Sequence, residues 1–556
     1  MAIQSLYPSI APSLNLDFAN TKALDPRISF SRTSEARFYD GRTVAKAEEN
    51  LLTFSQEFDQ AVWAKTSGSV TANSGAAPDG TSTADNFMTS GDNGTLLQSF
   101  TALAAAYTAS IWVRRVTGTG TVELTVDGTT WSAIVISDTW TRFSTTLTPS
   151  AGARTMGIRL VTSGDAVEVW GAQLEQRSSL TAYQVTTTQP ITNYIPVLQT
   201  AAANVARFDH NPVTGESLGL LVEEQRTNLL LRSAEFGELA AWGRNNVTVF
   251  ANTNIAPDGT LSADTVQSNS GGNDFVSQVP TVANGTVVTF SLYVKNINAT
   301  TSRIMGRNAI TSMEISFAWS GSVLTTLIPG TATSSGFAAV GNGWYRVWAT
   351  YTTGEINQWV RIYPDNSSAG KSVFIWGAQL EAGAFPTSYI PTVASQVTRS
   401  ADMAVMTGAN FSSWYRADEG TLYGDVSYIA RQANSPFISV NDGTANNRVV
   451  FGRGGFNNET RFGYNVSVGN VTQASSNTST LAADANIKLA LAYKVDDFQL
   501  TGNGVGQGAD ASGTLPVVNQ AVIGTITGSP RMNGTIRKLA YYPARLSNAQ
   551  LQALTT

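Results

Sequence analysis

Eight side chains combine an aromatic ring or a long cation with strand-like surroundings, and they fall into two corresponding sets. The C–H faces of sugar rings stack on aromatic rings, while sugar hydroxyls bond to planar or charged donors and acceptors. These residue types therefore predict carbohydrate binding. The first set is Trp112, Arg114, Trp140 and Arg142, and the second is Tyr293, Lys295, Trp344 and Arg346.

The spacing within each set places the ring and the cation on one face of a strand. Side chains alternate along a strand, so residues two apart point the same way. In the first set, Ile111 and Val113 point to one face of the strand, so Trp112 and Arg114 point to the other. Leu292 and Val294 do the same in the second copy. The alternative interpretation is that these rings pack beneath loops while the cations extend to water.

Catalysis has weaker support in the sequence. Hydrolysis of a polysaccharide would need two carboxylates spaced across a glycosidic bond, and no spacing selects such a pair. No short coil repeat, phosphate-cradling loop or nucleophile elbow occurs either. We therefore predict no catalytic residues and no enzymatic activity, and keep a polysaccharide depolymerase as an alternative function. The acids considered are Glu123, Glu168, Glu314, Asp418 and Glu419.

Metal chemistry has few candidate ligands. The chain has no cysteine and one histidine, His210, which excludes thiolate and multi-histidine zinc sites. His210 lies in a turn-like stretch and is interpreted as bonding to the backbone. The repeated Ala-Pro-Asp-Gly-Thr at 77–81 and 256–260 predicts a turn, although Asp79 and Asp258 are also the hard oxygen ligands that calcium prefers. We predict no cofactor and no metal site, and leave a structural calcium ion open.

The composition indicates several β-rich domains. A chain of 556 residues is expected to hold roughly three to five domains, and its low charged fraction of 13% is atypical of helical proteins. The net charge of −5 offers no broad basic surface, so nucleic acid is not an expected partner. Neither a signal peptide nor a long apolar run is present, which predicts no membrane insertion.

One module occurs twice. Each copy opens with Asn-Leu-Leu and closes with Trp-Gly-Ala-Gln-Leu-Glu, at 50–52 and 170–175 and again at 228–230 and 376–381. Short strand-like runs between turns predict a β-sandwich in each copy. The C-terminal region repeats this pattern of strands and turns and ends in a short helix with capping-box spacing.

The predicted domains follow from these repeats. A leader with short alternating runs is too small to bury a core, so we expect it to dock on a neighbouring domain, a second chain or an attachment site. The last strand of a structured connector is expected to pair with the second module. The boundaries are 1–49 for the leader or attachment segment, 50–189 for the first module, 190–227 for the connector, 228–400 for the second module and 401–556 for the C-terminal domain.

Several motifs resemble a known family. The run from Arg207 to Leu230, Arg-Phe-Asp-His-Asn-Pro-Val-Thr-Gly-Glu-Ser-Leu-Gly-Leu-Leu-Val-Glu-Glu-Gln-Arg-Thr-Asn-Leu-Leu, resembles a signature of head-spike and tail-fibre proteins of tailed bacteriophages. The same family carries motifs like those at 376–381, 387–392 and 398–402. The first module departs from the family pattern, because it stands as an insertion between the leader and Arg207.

The resemblance also implies a fold and a function. The two modules look like jelly-roll carbohydrate-binding modules, and 411–556 resembles a concanavalin A-like lectin domain. A family member would be a virion surface protein made in the host cytoplasm, attached to capsid or tail through its N-terminal segment and assembled as a homo-oligomer, with a trimer favoured. It would bind host cell-surface polysaccharide for adsorption, and multivalent display would strengthen weak sites. The alternative is structural head decoration, or a connector, without receptor binding.

Overall fold

Antiparallel β-sandwiches make up nearly all of the fold, which confirms the predicted all-β class. The computed structural model describes residues 7–307, 312–354, 356–365, 367–429, 435–453, 461–478, 486–527 and 531–556. The first six residues of the predicted leader lie outside this set. Within it, no helix is both long and apolar enough to span a bilayer.

The chain divides into two compact units. The small unit comprises 44–195 and 250–265, and the large unit comprises residues up to 43, 196–249 and 266–556. The small unit therefore holds the first module together with residues 250–265 of the second, while the rest of the second module and the C-terminal domain belong to the large unit.

The leader contributes strands to the C-terminal domain. Leu14–Leu16 pairs antiparallel with Leu539–Tyr541, and Ser29–Ser31 pairs with Met403–Val405. Leu14, Leu16 and Phe18 are buried in the core of that domain, so the leader's few apolar residues find cover there. Its elements are β1 (Leu14–Leu16), α1 (Phe18–Thr21), β2 (Ser29–Ser31) and β3 (Ala36–Asn50).

The first sandwich has two five-stranded sheets, with strand orders β10-β9-β12-β7-β4 and β11-β8-β13-β6-β5. Its core contains Ile111, Val113, Val167 and Val169, so alternate residues of β8 and β13 face away from the core. The strands are β4 (Trp63–Thr66), β5 (Gly68–Gly75), β6 (Ala84–Thr89), β7 (Gly94–Ala102), β8 (Tyr107–Thr117), β9 (Val122–Thr125), β10 (Trp131–Ile134), β11 (Thr141–Leu147), β12 (Gly152–Leu160) and β13 (Ala166–Glu175).

The main strand of the connector, Ser217–Val222, pairs with the C-terminal domain and not with the second module, whereas the end of the connector, Arg226–Asn228, pairs with Val397–Arg399 at the end of the second module. Leu220–Val222 pairs with Gly534–Ile536, because its apolar side chains Leu220 and Val222 complete the core of that domain. The connector strands are β14 (Ile191–Ala201), which forms a two-stranded sheet with β3, β15 (Arg207–His210), β16 (Ser217–Val222) and β17 (Arg226–Asn228).

The second sandwich repeats the first with six-stranded sheets, ordered β18-β21-β28-β23-β24-β25 and β19-β20-β29-β22-β27-β26. Leu292 and Val294 face its core, as the alternation predicts. The strands are β18 (Gly243–Asn245), β19 (Val247–Ile255), β20 (Leu261–Ser268), β21 (Phe275–Gln278), β22 (Val287–Asn296), β23 (Thr301–Gly306), β24 (Met313–Ser320), β25 (Val323–Ile328), β26 (Ser334–Gly341), β27 (Trp344–Thr352), β28 (Val360–Tyr363) and β29 (Ser372–Ala382).

The C-terminal sandwich packs an eight-stranded sheet, β15-β16-β41-β32-β37-β38-β39 with β1 on β41, and a seven-stranded sheet, β2-β31-β40-β33-β34-β35-β36. The predicted closing helix is present with its Ser547–Gln550 capping box. The elements are β30 (Val397–Arg399), β31 (Met403–Thr407), α2 (Ala409–Ser412), β32 (Glu419–Tyr428), β33 (Ser435–Asn441), β34 (Arg448–Arg453), β35 (Phe462–Val468), β36 (Val471–Asn477), β37 (Ile487–Lys494), β38 (Asp497–Gly502), β39 (Val505–Asp510), β40 (Gln520–Ile523), β41 (Gly534–Tyr542) and α3 (Asn548–Thr555).

Candidate functional site

The repeated closing motif holds a returning segment against each sandwich. In the first copy, the Gln173 side-chain oxygen accepts a hydrogen bond from the backbone N–H of Gln184 at 2.7 Å, and Glu175 accepts one from Thr181 at 3.0 Å. In the second, Gln379 accepts from the backbone of Ile390 at 2.7 Å. The motif is therefore architectural, and it brings the residues that follow each sandwich onto the outer sheet face.

The first predicted set does assemble on the outer face of one sheet, but its ring–cation pairs form across strands. Trp112 on β8 lies opposite Arg142 on β11, and the Arg142 guanidinium carbon is 4.5 Å from the centroid of the Trp112 ring. Arg114 lies 5.0 Å from the Trp140 ring and forms a 2.5 Å ion pair with Glu168. Trp112 and Trp140 both pack against the same buried group around Trp170, so the two pairs belong to one cluster.

Part of this cluster is already covered by the chain. The Trp112 ring packs edge-on against Trp170 at 5.2 Å. The Arg142 guanidinium donates to the Thr181 carbonyl at 2.8 Å and to the Ser110 hydroxyl at 3.0 Å. All four side chains of the set are half-buried. Because Trp112 and Arg142 are engaged in these contacts and the Arg114 side chain is 30% exposed, Trp140 and Arg114 are the members that a ligand would reach first.

The second predicted set divides between two environments. Trp344 is fully buried, whereas Lys295 is half-buried on the strand beside it. Trp344 therefore offers no face to a ligand, because alternation along a strand fixes the side that a residue takes but not whether other segments cover it. Tyr293 and Arg346 pair across β22 and β27 and both line a cavity.

This cavity has a volume of about 890 Å³ and lies within the large unit. Pockets of about 300–1,000 Å³ lined by rings and a few polar groups are typical binding sites for small molecules. The aromatic residues that line it are Phe38, Tyr39, Tyr293, Trp348, Phe385, Tyr389 and Tyr428. The polar side chains are Arg37, Asp209, Glu223, Ser334, Ser335, Arg346, Thr387, Ser388 and Ser427.

Each wall is supplied by a different part of the chain. The returning segment after β29 contributes 384–389, and Arg346 is fixed to it by a 2.7 Å hydrogen bond to the Thr387 carbonyl and to β22 by a 3.0 Å bond to the Ser291 hydroxyl. β3 contributes Tyr39, whose backbone N–H donates to Asp209 at 2.8 Å. The polar groups of the cavity are therefore held in place before any ligand arrives.

Asp209 is the carboxyl group of the cavity with the most unusual environment. Burial raises its pKa to about 6, and the hydrogen bond from the Tyr39 backbone and the charge of Arg207 offset that only in part. Ionisation of a buried carboxyl group lowers the free energy of unfolding. Groups with a shifted pKa of this kind concentrate at functional sites.

Replacing Asp209 by Asn is expected to raise the free energy of unfolding at about pH 7 by an amount on the order of 2 kcal/mol. The folded-state pKa lies above the ordinary value of 3.8, so the protonated carboxyl favours folding. That contribution is complete below about pH 4 and is lost as the pH rises through about 6. Urea unfolding of the wild type and the variant at about pH 4 and at about pH 7 measures this contribution. A difference in the free energy of unfolding that is the same at both pH values would contradict this expectation.

A buried ion cluster supports the cavity from behind. Arg207 donates to Glu223 at 2.7 Å and to Asp402 at 2.5 Å, and all three side chains are at most 1% exposed. Arg32 reaches the other oxygen of Asp402 at 3.0 Å, and Arg399 lies 3.3 Å from Glu223. The cluster thus ties together the leader, the connector and the start of the C-terminal domain.

Glu223 links this cluster to the cavity wall. Its carboxylate accepts hydrogen bonds from the backbone N–H of Ser388 at 2.7 Å and from the Ser388 hydroxyl at 2.6 Å. Burial alone raises the pKa of Glu223, but Arg399 and Arg207 outweigh it and hold the pKa at about 2. Glu223 therefore stays ionised and fixes the segment that carries Tyr389.

Most of the cavity lies outside the repeated patterns of the sequence. Tyr39, Asp209, Trp348 and Phe385 belong to no repeated ring–cation set. A usable signal was nevertheless present, since the motif at Arg207–Leu230 and the 387–392 stretch carried the family resemblance, and they form two of the walls. The remaining walls depend on packing between distant segments.

The other candidate groups have structural partners. The backbone N–H of Thr81 donates to Asp79 at 3.0 Å, and that of Thr260 does so to Asp258 at 3.0 Å, so both motifs form the predicted turn. His210 Nδ1 lies 2.9 Å from the Phe208 carbonyl, in keeping with the backbone role assigned to it. No group of three or more metal-ligating side chains occurs among the described residues.

The five acids considered for catalysis are each paired with an arginine. Glu123 pairs with Arg159, Glu168 with Arg114, Glu314 with Arg303, and both Asp418 and Glu419 with Arg416. Each ion pair gives its carboxylate a structural partner. These residues are dispersed over three sandwiches and form no pair across a common cleft.

Comparisons with known proteins give structural likenesses alone. No family model matches the chain, and no curated protein matches its sequence. A CBM40 domain of the Ruminococcus gnavus IT-sialidase bound to α2,3-sialyllactose covers 25% of this chain and 83% of its own, at 16% identity and a TM-score of 0.22. The CBM22 tandem of Paenibacillus barcinonensis Xyn10C covers 61% and 99%, at 13% identity and 0.19.

A third match corrects one prediction. The Trypanosoma rangeli sialidase, in complex with 2,3-difluorosialic acid as a covalent intermediate, covers 89% of this chain and 84% of its own, at 9% identity and a TM-score of 0.22. The prediction that the chain is not an enzyme is therefore wrong as an exclusion, because enzymes are among its structural matches. A likeness at this level assigns no activity and no catalytic residue to the chain.

Proposed function

We propose that the protein binds glycans and that the cavity of the large unit is its principal sugar site. The observation that carries this proposal is the combination, in one concave site of about 890 Å³, of several aromatic rings with a guanidinium, a carboxyl and hydroxyl groups. Sugars are recognised by this mixture, since rings stack on their C–H faces and polar groups bond to their hydroxyls.

The roles of the residues follow from their positions. Trp348 is half-buried beside the exposed Ser334 and Ala338 of β26, so its ring is the first stacking surface that a sugar entering from solvent meets. Asp209 lies deeper and accepts from or donates to hydroxyls according to its protonation. Arg346 positions the returning segment through Thr387.

We also propose a shallower contact on the first sandwich, at Trp140 and Arg114. Support comes from the partial exposure of both side chains and from the ion pair that orients Arg114 toward Glu168. Trp112 and Arg142 act beneath them as support. A glycan held here would contact one ring, so we expect weaker binding than in the cavity.

The finer proposal is that the glycan lies on a bacterial surface and that the protein is exposed on a bacteriophage virion, as a homotrimer. Its support is the family resemblance of the Arg207–Leu230 motif and of the motifs after β29. Three copies on one particle would strengthen weak sites through high effective concentration. Attachment to the particle would involve the N-terminal segment.

Glycan-array retention tests the proposal directly. The full chain should be retained on specific glycans, and retention should be lost in Ala338→Trp, which blocks the cavity from its exposed rim without removing a buried group. Asp209→Asn should also lose retention while unfolding at a higher urea concentration at about pH 7. Retention of Ala338→Trp on the same glycans at wild-type strength would refute the cavity as the site.

A further inference from the structure

A second group of rings and arginines lies on the second sandwich, outside the cavity. It occupies the outer face of the sheet that contains β21, β28, β23 and β24. Val276, Val360 and Ile362 belong to the core, so the residues that alternate with them, Phe275 and Arg361, project from the opposite face. None of the residues on this face lines the cavity.

Arg361 is held between two rings on this face. Its guanidinium carbon lies 4.1 Å from the centroid of the Trp359 ring and 4.3 Å from that of Phe275. A third ring, Tyr363, packs against Phe275 at 5.2 Å. These contacts fix the position of the cation, because a guanidinium over a ring is attracted by its quadrupole.

The charge of Arg361 has no anionic partner in the described part of the chain. Its side chain makes no ion pair or hydrogen bond with those residues, and its Nε is buried without an acceptor. The neighbouring Arg303, 4.0 Å from the Tyr363 ring, is by contrast neutralised by Glu314 at 3.2 Å. A half-buried, oriented cation without an acceptor is an incomplete site, because its donors have lost part of their water without gaining a partner.

The first sandwich contains the completed form of the same arrangement. Arg159 on β12 lies 4.3 Å from the Trp131 ring and pairs with Glu123 at 2.5 Å, directly across from it on β9. β28 holds the place of β12 in the second sandwich, and the residue across from Arg361 on β23 is Met305. The second sandwich therefore keeps an arginine beside aromatic rings, which different strands supply, but has Met305 in the position of the carboxylate.

We infer that Arg361, with Trp359 and Phe275, forms a subsite for the carboxylate of an acidic saccharide. A carboxylate of the ligand would supply the negative charge that Glu123 supplies in the first sandwich, and guanidinium and carboxylate geometries match in bidentate pairs. The half-buried Trp359 ring beside it would stack on the sugar that carries the acid. This subsite does not depend on the cavity proposed above.

Isothermal titration of the full chain with a short oligogalacturonate, and with the neutral oligogalactose as a control, tests the inference. The acidic oligomer should bind the wild type and the neutral one should not. Arg361→Met, which keeps the length of the side chain but removes its charge, should weaken binding about tenfold or more. Met305→Glu should do the same, because it supplies the internal carboxylate seen at Glu123 without deleting any group.

Two matched variants distinguish this subsite from the cavity and from a general effect of losing an arginine. Arg159→Met removes the arginine whose charge is already satisfied, so it should bind the acidic oligomer as the wild type does. Loss of binding in Ala338→Trp, with binding unchanged in Arg361→Met, would place the oligomer in the cavity and overturn the inference. The inference is overturned if the wild type fails to bind it, if Arg361→Met and Met305→Glu bind it unchanged, or if the neutral oligomer binds equally. Displacement of the acidic oligomer by sodium acetate at the same carboxylate concentration would also overturn the inference, because the site would then recognise a carboxylate without its sugar.

Discussion

Replacing Arg207 by Met is expected to lower the free energy of unfolding of the large unit by about 3–5 kcal/mol. The substitution leaves Glu223 and Asp402 buried with fewer counter-charges, and each is at most 1% exposed. Removing one partner of a buried pair is costly because the other charge remains out of water. Urea unfolding, followed by the fluorescence of the tryptophans, measures the change.

An exposed ion pair in the same unit provides the control. Arg537 pairs with Glu216 at 2.8 Å, but the Glu216 side chain is 53% exposed, so Arg537→Met should cost less than about 1 kcal/mol. Because Glu223 has a lowered pKa, its contribution to stability is present above the ordinary value of 4.5 and is lost as the pH falls toward about 2. Equal effects of the two substitutions would contradict a structural role for the buried cluster.

The second large effect is expected at the asparagine that opens each module. The side chain of Asn228 donates to the carbonyls of Ala378 and Ile390 at 3.1 and 2.9 Å. Its oxygen accepts from the backbone N–H groups of Leu230 and Leu380 at 3.1 and 3.2 Å. Asn228→Ala leaves these buried groups unsatisfied and should cost about 3 kcal/mol.

Asn50 makes the same kind of bonds in the first sandwich, to the carbonyls of Ala172 and Gln184. Asn50→Ala should therefore increase hydrogen exchange in β13, and Asn228→Ala should increase it in β29, each measured by mass spectrometry. Asn86→Ala, at a half-buried position on β6 outside this motif, serves as the control. Protection of β13 and β29 equal to that of the wild type would show that these asparagines do not hold the closing strands.

The sequence predicted the modules because their ends carry local information. Asn50 and Asn228 open the copies and the Trp-Gly-Ala-Gln-Leu-Glu strands close them, and in the structure those ends bond to each other. Alternation also placed Tyr293 on the outer face and Leu292 in the core. Both inferences depend only on neighbours along one strand.

The features that were missed depend on distant segments. The pairing of Arg142 with Trp112 is set by the register of β11 against β8, which alternation within a strand does not determine. The burial of Trp344 depends on segments that cover its sheet face. The connector strand β16 was assigned to the wrong sandwich for the same reason. The pattern of its apolar residues would suit a strand in either sandwich, and only the structure shows that it pairs with β41.

The buried charges were the least predictable feature. Charged residues are seldom fully buried unless they are paired, so their residue types alone place Arg207 and Glu223 at the surface. They are buried because they pair with Asp402 and Arg399, which follow almost two hundred residues later in the chain. The motifs at 207–230 and 398–402 contain these four residues, so the ion cluster behind the cavity gives both motifs a structural role.

The most direct test of the cavity as the principal sugar site is isothermal titration of the best glycan found on the array against the wild type and Trp348→Ala. The Trp348 ring lines the cavity at its accessible side, and loss of a stacking ring is worth about 1 kcal/mol or more. We predict that affinity falls about fivefold or more in Trp348→Ala, and that it falls by less in Trp140→Ala, whose ring belongs to the weaker contact. Unchanged affinity in Trp348→Ala, with loss in Trp140→Ala, would contradict this assignment.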